Sequence, residues 1–192
     1  MPAPSPLPDG LSLADARKDE HFAAMSLLHA LGWRDTYRGF VPDEYMAREI
    51  TDDRWVSCFR EDSRTGRYRG LLLYRENVPV SCINYGPARI GAGRADTICT
   101  FDSRGYEGWG EIVSLYTRPG ERGKGYGGLL LEEAILRLRA AGHKNAFVFV
   151  LRENEKARSF YSAHGFTWDG SHTDIPFPPN TVCVDLRYVK TL

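Results

Sequence analysis

The chain has 192 residues, and its 25 basic and 25 acidic side chains cancel. No bulk field therefore attracts a nucleic-acid backbone or an anionic membrane surface, so neither partner is expected and any anion site must be local. The length suits one domain with a sizeable core, with 1–10 as a flexible Pro-rich leader and 11–192 as the domain. Met1 to Gly10 has neither a basic start nor an apolar stretch, and the longest apolar run is Ala146 to Leu151, so no signal peptide or spanning helix is expected. Cys58, Cys82, Cys99 and Cys183 are dispersed and read as reduced thiols in the cytoplasm.

In chain order, Leu11 to Ala16 reads as a short strand, and His21 to Tyr37 carries Phe22, Met25, Leu28 and Leu31 at helical spacing. Pro42 opens a second helix. Arg60 to Arg69 is polar and charged and reads as a break; its Arg64, Arg67 and Arg69 lack the basic face a nucleic-acid site needs. Gly70 to Arg75 and Val78 to Tyr85 flank Glu76-Asn77 and predict a hairpin. Gly91 to Gly110 reads as a long connection with a short strand at Ile98 to Phe101.

Glu111 to Thr117 reads as a strand ended by Pro119 and Gly120. Gly125 opens a helix to Ala141, and Gly142 stops it. Leu131, Ala134, Ile135, Leu138 and Ala141 share its core face, while Glu133 and Arg137 pair outside at i, i+4. The uniformly apolar Ala146 to Leu151 is expected to be a central strand covered on both faces, completing a right-handed parallel crossover. Asn154 to His164 is a further helix capped by Asn154. Gly165 to Trp168 and Thr181 to Tyr188 return as antiparallel strands around a Pro-rich turn, Ile175 to Asn180. The expected class is mixed α/β.

Arg122-Gly123-Lys124-Gly125-Tyr126-Gly127 sits between a strand and a helix, where first-turn amides lack partners and the helix dipole is positive. The dipole contributes only about 0.3 to 1 kcal/mol at an exposed site, so Arg122 and Lys124 must supply the remaining charge for a pyrophosphate. Gly123, Gly125 and Gly127 let the backbone approach. No Ser or Thr follows Lys124 as a P-loop requires, and the glycine spacing is not the dinucleotide fingerprint, which disfavours ATP and NAD.

With these residues the chain resembles the GNAT N-acetyltransferases, whose signature of Gln or Arg, two residues, Gly, one residue, then Gly or Ala is met by Arg122, Gly125 and Gly127. The resemblance continues in Leu115-Tyr116-Thr117-Arg118-Pro119, in Leu129-Leu130, and from Asn154 through Phe160-Tyr161 to His164-Gly165-Phe166. It covers Glu111 to Phe166, and more loosely Trp33 to Tyr37 with Pro42. It implies a central mixed sheet, splayed and flanked by helices, with pantetheine between the strands Glu111 to Thr117 and Ala146 to Leu151. Acetyl-CoA would be the cosubstrate, held by Arg122 to Gly127, by Asn154 and by backbone amides near Leu115, Tyr116 and Thr117.

The implied reaction is direct transfer of an acetyl group to a primary amine of a small molecule or peptide, an acyltransferase activity of class EC 2.3.1. An alkylamine is neutral in roughly one molecule in 2,500 at pH 7, a deficit of about 4.6 kcal/mol that a base would offset. Glu111 is the candidate base, by its similarity to the glutamate of the family's histone-acetylating branch. Tyr161 takes the family's position for a tyrosine that protonates or hydrogen-bonds the departing thiolate. Trp33 and Tyr37, with Phe40, Asp43, Glu44, Asp174 and Phe177, are candidates for the acceptor mouth. The five histidines show no ligand spacing, so no metal is expected. Nothing near Cys82 or Cys99 supplies a base for a covalent route. A non-catalytic acyl-CoA sensor and a longer acyl donor are the rival readings, and a homodimer is left open.

Overall fold

The computed structural model describes residues 7–89 and 105–192. Ile98 to Phe101, Cys99 and most of the Gly-rich connection lie outside the described residues. The seven strands are β1 (Leu11–Asp15), β2 (Arg69–Arg75), β3 (Val78–Pro87), β4 (Gly110–Thr117), β5 (Asn145–Leu151), β6 (Thr167–Phe177) and β7 (Thr181–Thr191). The five helices are α1 (Asp19–Thr36), α2 (Asp43–Glu49), α3 (Val56–Thr65), α4 (Tyr126–Ala140) and α5 (Glu155–Ala163). One sheet runs β1-β2-β3-β4-β5-β7-β6. Its β4–β5 pair is parallel and the other pairs are antiparallel.

The β2–β3 hairpin turns on Glu76 and Asn77, both with positive φ (49° and 67°). Two left-handed residues match the twist of the strands they join, and Asn adopts that conformation at low cost. The helix α4 buries Leu130, Leu131, Ala134, Ile135 and Leu138. It packs over a core that includes Leu71, Ile83, Ile112 and Val148. Ala141, expected on that face, lies past the helix end and is exposed. Arg137 pairs with Glu133 at 2.7 Å as expected, and also reaches Asp15, tying α4 to the edge strand β1. On the opposite side, α1 crosses β4 closely: a Cβ at Gly32 would collide with the Tyr116 ring.

Two boundaries differ most from the sequence reading. Arg60 to Thr65, read as a break, belongs to α3, which ends at Gly66 in a left-handed conformation (φ 67°). Its buried stripe is short and includes a carboxylate, Cys58, Phe59 and Asp62, so the charged outer face masked the helical period. Asp62 is satisfied by Asn84 Nδ2, which donates to it at 3.1 Å. The second difference is β6, which continues through Phe177, so the turn shrinks to Pro178–Asn180. Ile175 and Phe177 alternate inward at a strand period, and Pro176 is tolerated because β6 is the sheet's last strand.

The parallel pairing between β4 and β5 lasts only from Gly110–Ala146 to Ile112–Val148. Just beyond it, β4 carries an extra residue against β3: Tyr85 pairs with Ile112 and Asn84 with Ser114, leaving Val113 as a bulge. The strands then part, and Val113 to Thr117 has no strand partner on the β5 side. That gap positions the site. No helix among the described residues is long and apolar enough to cross a membrane.

Candidate active site

A cavity of about 1200 Å³ opens along the gap, walled by β4 from Val113 to Thr117 and by β5 from Val148 to Leu151. At one end lie Arg122, Gly123, Gly125 and Gly127. Gly125 precedes α4 with φ 83°, and no side chain caps the helix. The first-turn amides therefore remain available to an anion. Added Cβ atoms at Gly123 and Gly125 would meet nothing within 4 Å, so an approaching group meets open backbone. Arg122 pairs with Asp35 and donates to Thr36 Oγ1 at 3.3 Å, while Lys124 pairs with Glu121 at 2.9 Å. The loop's cations are thus paired with two carboxylates, an exposed one on Asp35 and a largely buried one on Glu121 that also holds Arg75. These residues fit a pyrophosphate.

Leu115, Tyr116 and Thr117 line the middle of the cavity. Tyr126, also in its wall, is the first residue of α4 and its ring is buried. The Asn154 side chain accepts from the Ala157 amide at 3.1 Å and so caps α5 at the cavity edge. That helix carries Tyr161 into the wall, packed beside Phe160 and Phe166. Burial, and next to it the nearby Tyr37, push the Tyr161 phenol well above its ordinary range, which keeps its proton in place. Among the described residues its Oη has no hydrogen-bond partner.

The other end of the cavity is aromatic. Trp33 on α1 and Tyr37 just past its end meet edge to face at 4.7 Å, and Phe177 stands 6.4 Å from Trp33 and 5.1 Å from Tyr45. Phe40 also lines this end, whereas Asp43, Glu44 and Asp174 are exposed and outside the wall. Tyr37 and Tyr116 bring their hydroxyls to 3.4 Å. Burial raises the Tyr37 phenol to about 12.

Glu111 does not reach the cavity wall. It is 0% exposed and grips Arg89 through both carboxylate oxygens, accepting from the Arg89 backbone amide at 2.9 Å and from Nε at 2.8 Å. Arg89 itself lines the cavity.

Two groups that motif reasoning passed over also face the cavity. His29 on α1 is buried, and burial drops its pKa to about 4. Its Nδ1 lies 2.8 Å from the Met25 carbonyl, which can only accept, so Nδ1 carries the proton and Nε2 accepts from Ser114 Oγ at 2.8 Å. Asp185 on β7 faces Leu151 across the sheet. Burial raises its carboxyl to about 7; Arg89 opposes that rise and Glu153 adds to it. Among the described residues Asp185 has neither an ion pair nor a hydrogen bond. Its signal in the sequence was faint, a single Asp in the alternating run Cys183-Val184-Asp185-Leu186.

Cys82 is fully buried, with its thiol pushed far up by burial. Among the described residues no group of three or more His, Cys, Asp or Glu side chains is placed to hold a metal ion.

Comparison with known proteins matches residues 30–166 to the acetyltransferase (GNAT) family. Over 69 residues the chain is 38% identical to a mycothiol acetyltransferase of Beutenbergia cavernae, a stretch that spans 36% of this chain and 23% of that protein's length. The PaiA N-acetyltransferase of Thermoplasma acidophilum, solved with coenzyme A, superposes with a TM-score of 0.67 at 18% identity, covering 94% of this chain and 99% of that one. YncA of Salmonella typhimurium, solved with acetyl-CoA, gives 0.70 at 17% identity over 96% and 95%. The ribosomal-protein-alanine N-acetyltransferase of Brucella melitensis gives 0.68 at 18% over 95% and 99%.

Proposed function

Because the chain belongs to the acetyltransferase (GNAT) family, we propose that it transfers an acetyl group from acetyl-CoA directly to a primary amine within a ternary complex. One observation carries this reading: the uncapped start of α4, with Arg122 and Lys124 beside it, opens into the same gap that exposes the unpaired edge of β4 and the Tyr161 side chain. An open helix start flanked by cations, an unpaired strand edge and a protonated phenol thus share one cavity.

In this reading the α4 amides, Arg122 and Lys124 hold the pyrophosphate. The unpaired edge from Val113 to Thr117 supplies backbone N–H groups for the pantetheine arm and for the oxygen of the thioester. A donor of that kind, aimed at the developing oxyanion, contributes roughly 2.7 to 4 kcal/mol in the transition state. As the C–S bond breaks, the Tyr161 phenol donates a hydrogen bond to the departing sulfur. Its held proton suits that task, because transfer to a thiolate near pKa 8.5 is uphill and stabilisation without full transfer is the larger benefit.

The test pairs a thiol-release assay over a panel of amines with calorimetric binding of coenzyme A. Turnover on at least one amine, with binding weakened more than a hundredfold in Arg122→Glu/Lys124→Glu, is expected. Tight acetyl-CoA binding with no release on any amine would instead make the protein a sensor.

A further inference from the structure

The acceptor end of the cavity combines two features that restrict what enters it. Its walls are aromatic, with Trp33, Tyr37, Tyr45, Trp55 and Phe177 all contributing. Its cations are already engaged: Arg54 pairs with Glu49 at 3.1 Å and lies over the Trp55 ring, and Arg89 is held by Glu111. Against these stands Asp185, a carboxylate with no partner among the described residues. Aromatic faces attract cations and apolar rings alike, and a lone carboxylate beside them favours positive charge and repels a second carboxylate.

Resting on the acetyltransferase reading above, we propose that this lobe takes a small primary amine as its cation, carried on an aromatic or apolar body without a carboxylate beside the nitrogen, and that Asp185 accepts the ammonium proton. The location suits that transfer. Asp185, Tyr37, Tyr116 and Tyr161 all line this cavity, with the Tyr37 and Tyr116 hydroxyls 3.4 Å apart, so the carboxylate and the phenol flank one space. The charged and titratable groups facing Asp185 are Arg89 and Glu153, with Tyr37, Tyr116 and Cys183 around it. Only Arg89 works against protonation, and Glu111 largely neutralises it.

One ammonium proton passes to Asp185 and on to solvent, the nitrogen pair forms the C–N bond, and the C–S bond breaks with its pair on sulfur. A second proton from nitrogen ends on the coenzyme A thiol. A carboxyl whose pKa sits near 7 is ionised enough to accept at neutral pH and basic enough to be useful.

The experiment compares 2-phenylethylamine, L-phenylalanine, spermidine and a lysine-ended peptide as acceptors, in the wild type and in Asp185→Asn, from pH 5.5 to 9. Wild-type kcat/KM for 2-phenylethylamine should exceed that for L-phenylalanine by roughly a hundredfold, the consequence of placing like charges together. It should rise with pH through about 7. Asp185→Asn should lose roughly 10² to 10⁴ in that ratio together with the limb near 7, with coenzyme A affinity unchanged as the check on folding. Preference for phenylalanine, spermidine or the peptide, or a limb that persists in Asp185→Asn, overturns the inference and leaves N-acetyl transfer standing. Thiol release with none of the four, nor with any other amine, removes both.

Discussion

Replacing Tyr161 with Phe removes one oxygen from the cavity wall. Because Oη has no protein partner among the described residues, the change strands no donor or acceptor, and the ring keeps its packing against Phe160 and Phe166. Stability should therefore change by less than about 0.5 kcal/mol. The catalytic loss follows from the bond removed: a hydrogen bond to a charged acceptor is worth about 1.5 to 3 kcal/mol, which corresponds to roughly 10- to 150-fold in kcat. Burial keeps the phenol protonated, so the loss should be constant across the neutral and mildly alkaline range. A thiol-release assay at saturating acetyl-CoA measures it. An acetyl donor on the same pantetheine arm but with a more acidic leaving thiol separates this role from simple packing, because a good leaving group needs less help. The defect should shrink with that donor. Full activity in Tyr161→Phe, or an equal defect with both donors, would refute the role.

Asp35 and the phosphate loop make a second test: the Arg122–Asp35 pair is exposed on both sides (40% and 48%) and worth about 0 to 1 kcal/mol, so Asp35→Ala should tighten coenzyme A binding by at most about fivefold in calorimetry. Weaker binding would show that Asp35 does not compete with the phosphates. A third concerns acid stability: His29 is held neutral with its pKa lowered from 6.5 to about 4, so its contribution is lost as pH falls between those values, about 3 kcal/mol in all. Asp185, raised from 3.8 to about 7, has the opposite sign and costs stability as pH rises through the same window. Denaturant unfolding at pH 4.5 and 7 should find His29→Gln less acid-labile than the wild type and Asp185→Asn more so; parallel behaviour of the two variants would contradict the signs.

The stretch from Glu111 to Phe166 was legible because its signals are local. A uniformly apolar run such as Ala146 to Leu151 has one sheltered place in a mixed sheet, and β5 occupies it between β4 and β7. Gly125 and Gly142 bracket α4 in the sequence and carry positive φ at its two ends in the structure. The helix α3 was missed for the opposite reason: its buried stripe spends one position on Asp62, whose satisfaction by Asn84 is a contact with a distant strand. The splay was implied by the resemblance, and its local cause, the bulge at Val113, depends on register against β3 that no spacing in β4 reveals.

The carboxylates show the same division within the site. Glu111 was singled out by its position on a recognisable strand, and that position buries it in the middle of the sheet between β3 and β5, where both oxygens are taken by Arg89. Asp185 lies far from any motif, on a strand whose inward face is set only when β7 pairs with β5 and the aromatic end of α1 closes over it. The two are linked through Arg89, which Glu111 anchors and whose charge offsets part of the burial cost at Asp185. Glu111 thereby holds in place the guanidinium that opposes the burial-driven rise at Asp185. A strand-borne glutamate that anchors an arginine and one that acts as a base look alike in sequence, and the geometry places this one on Arg89.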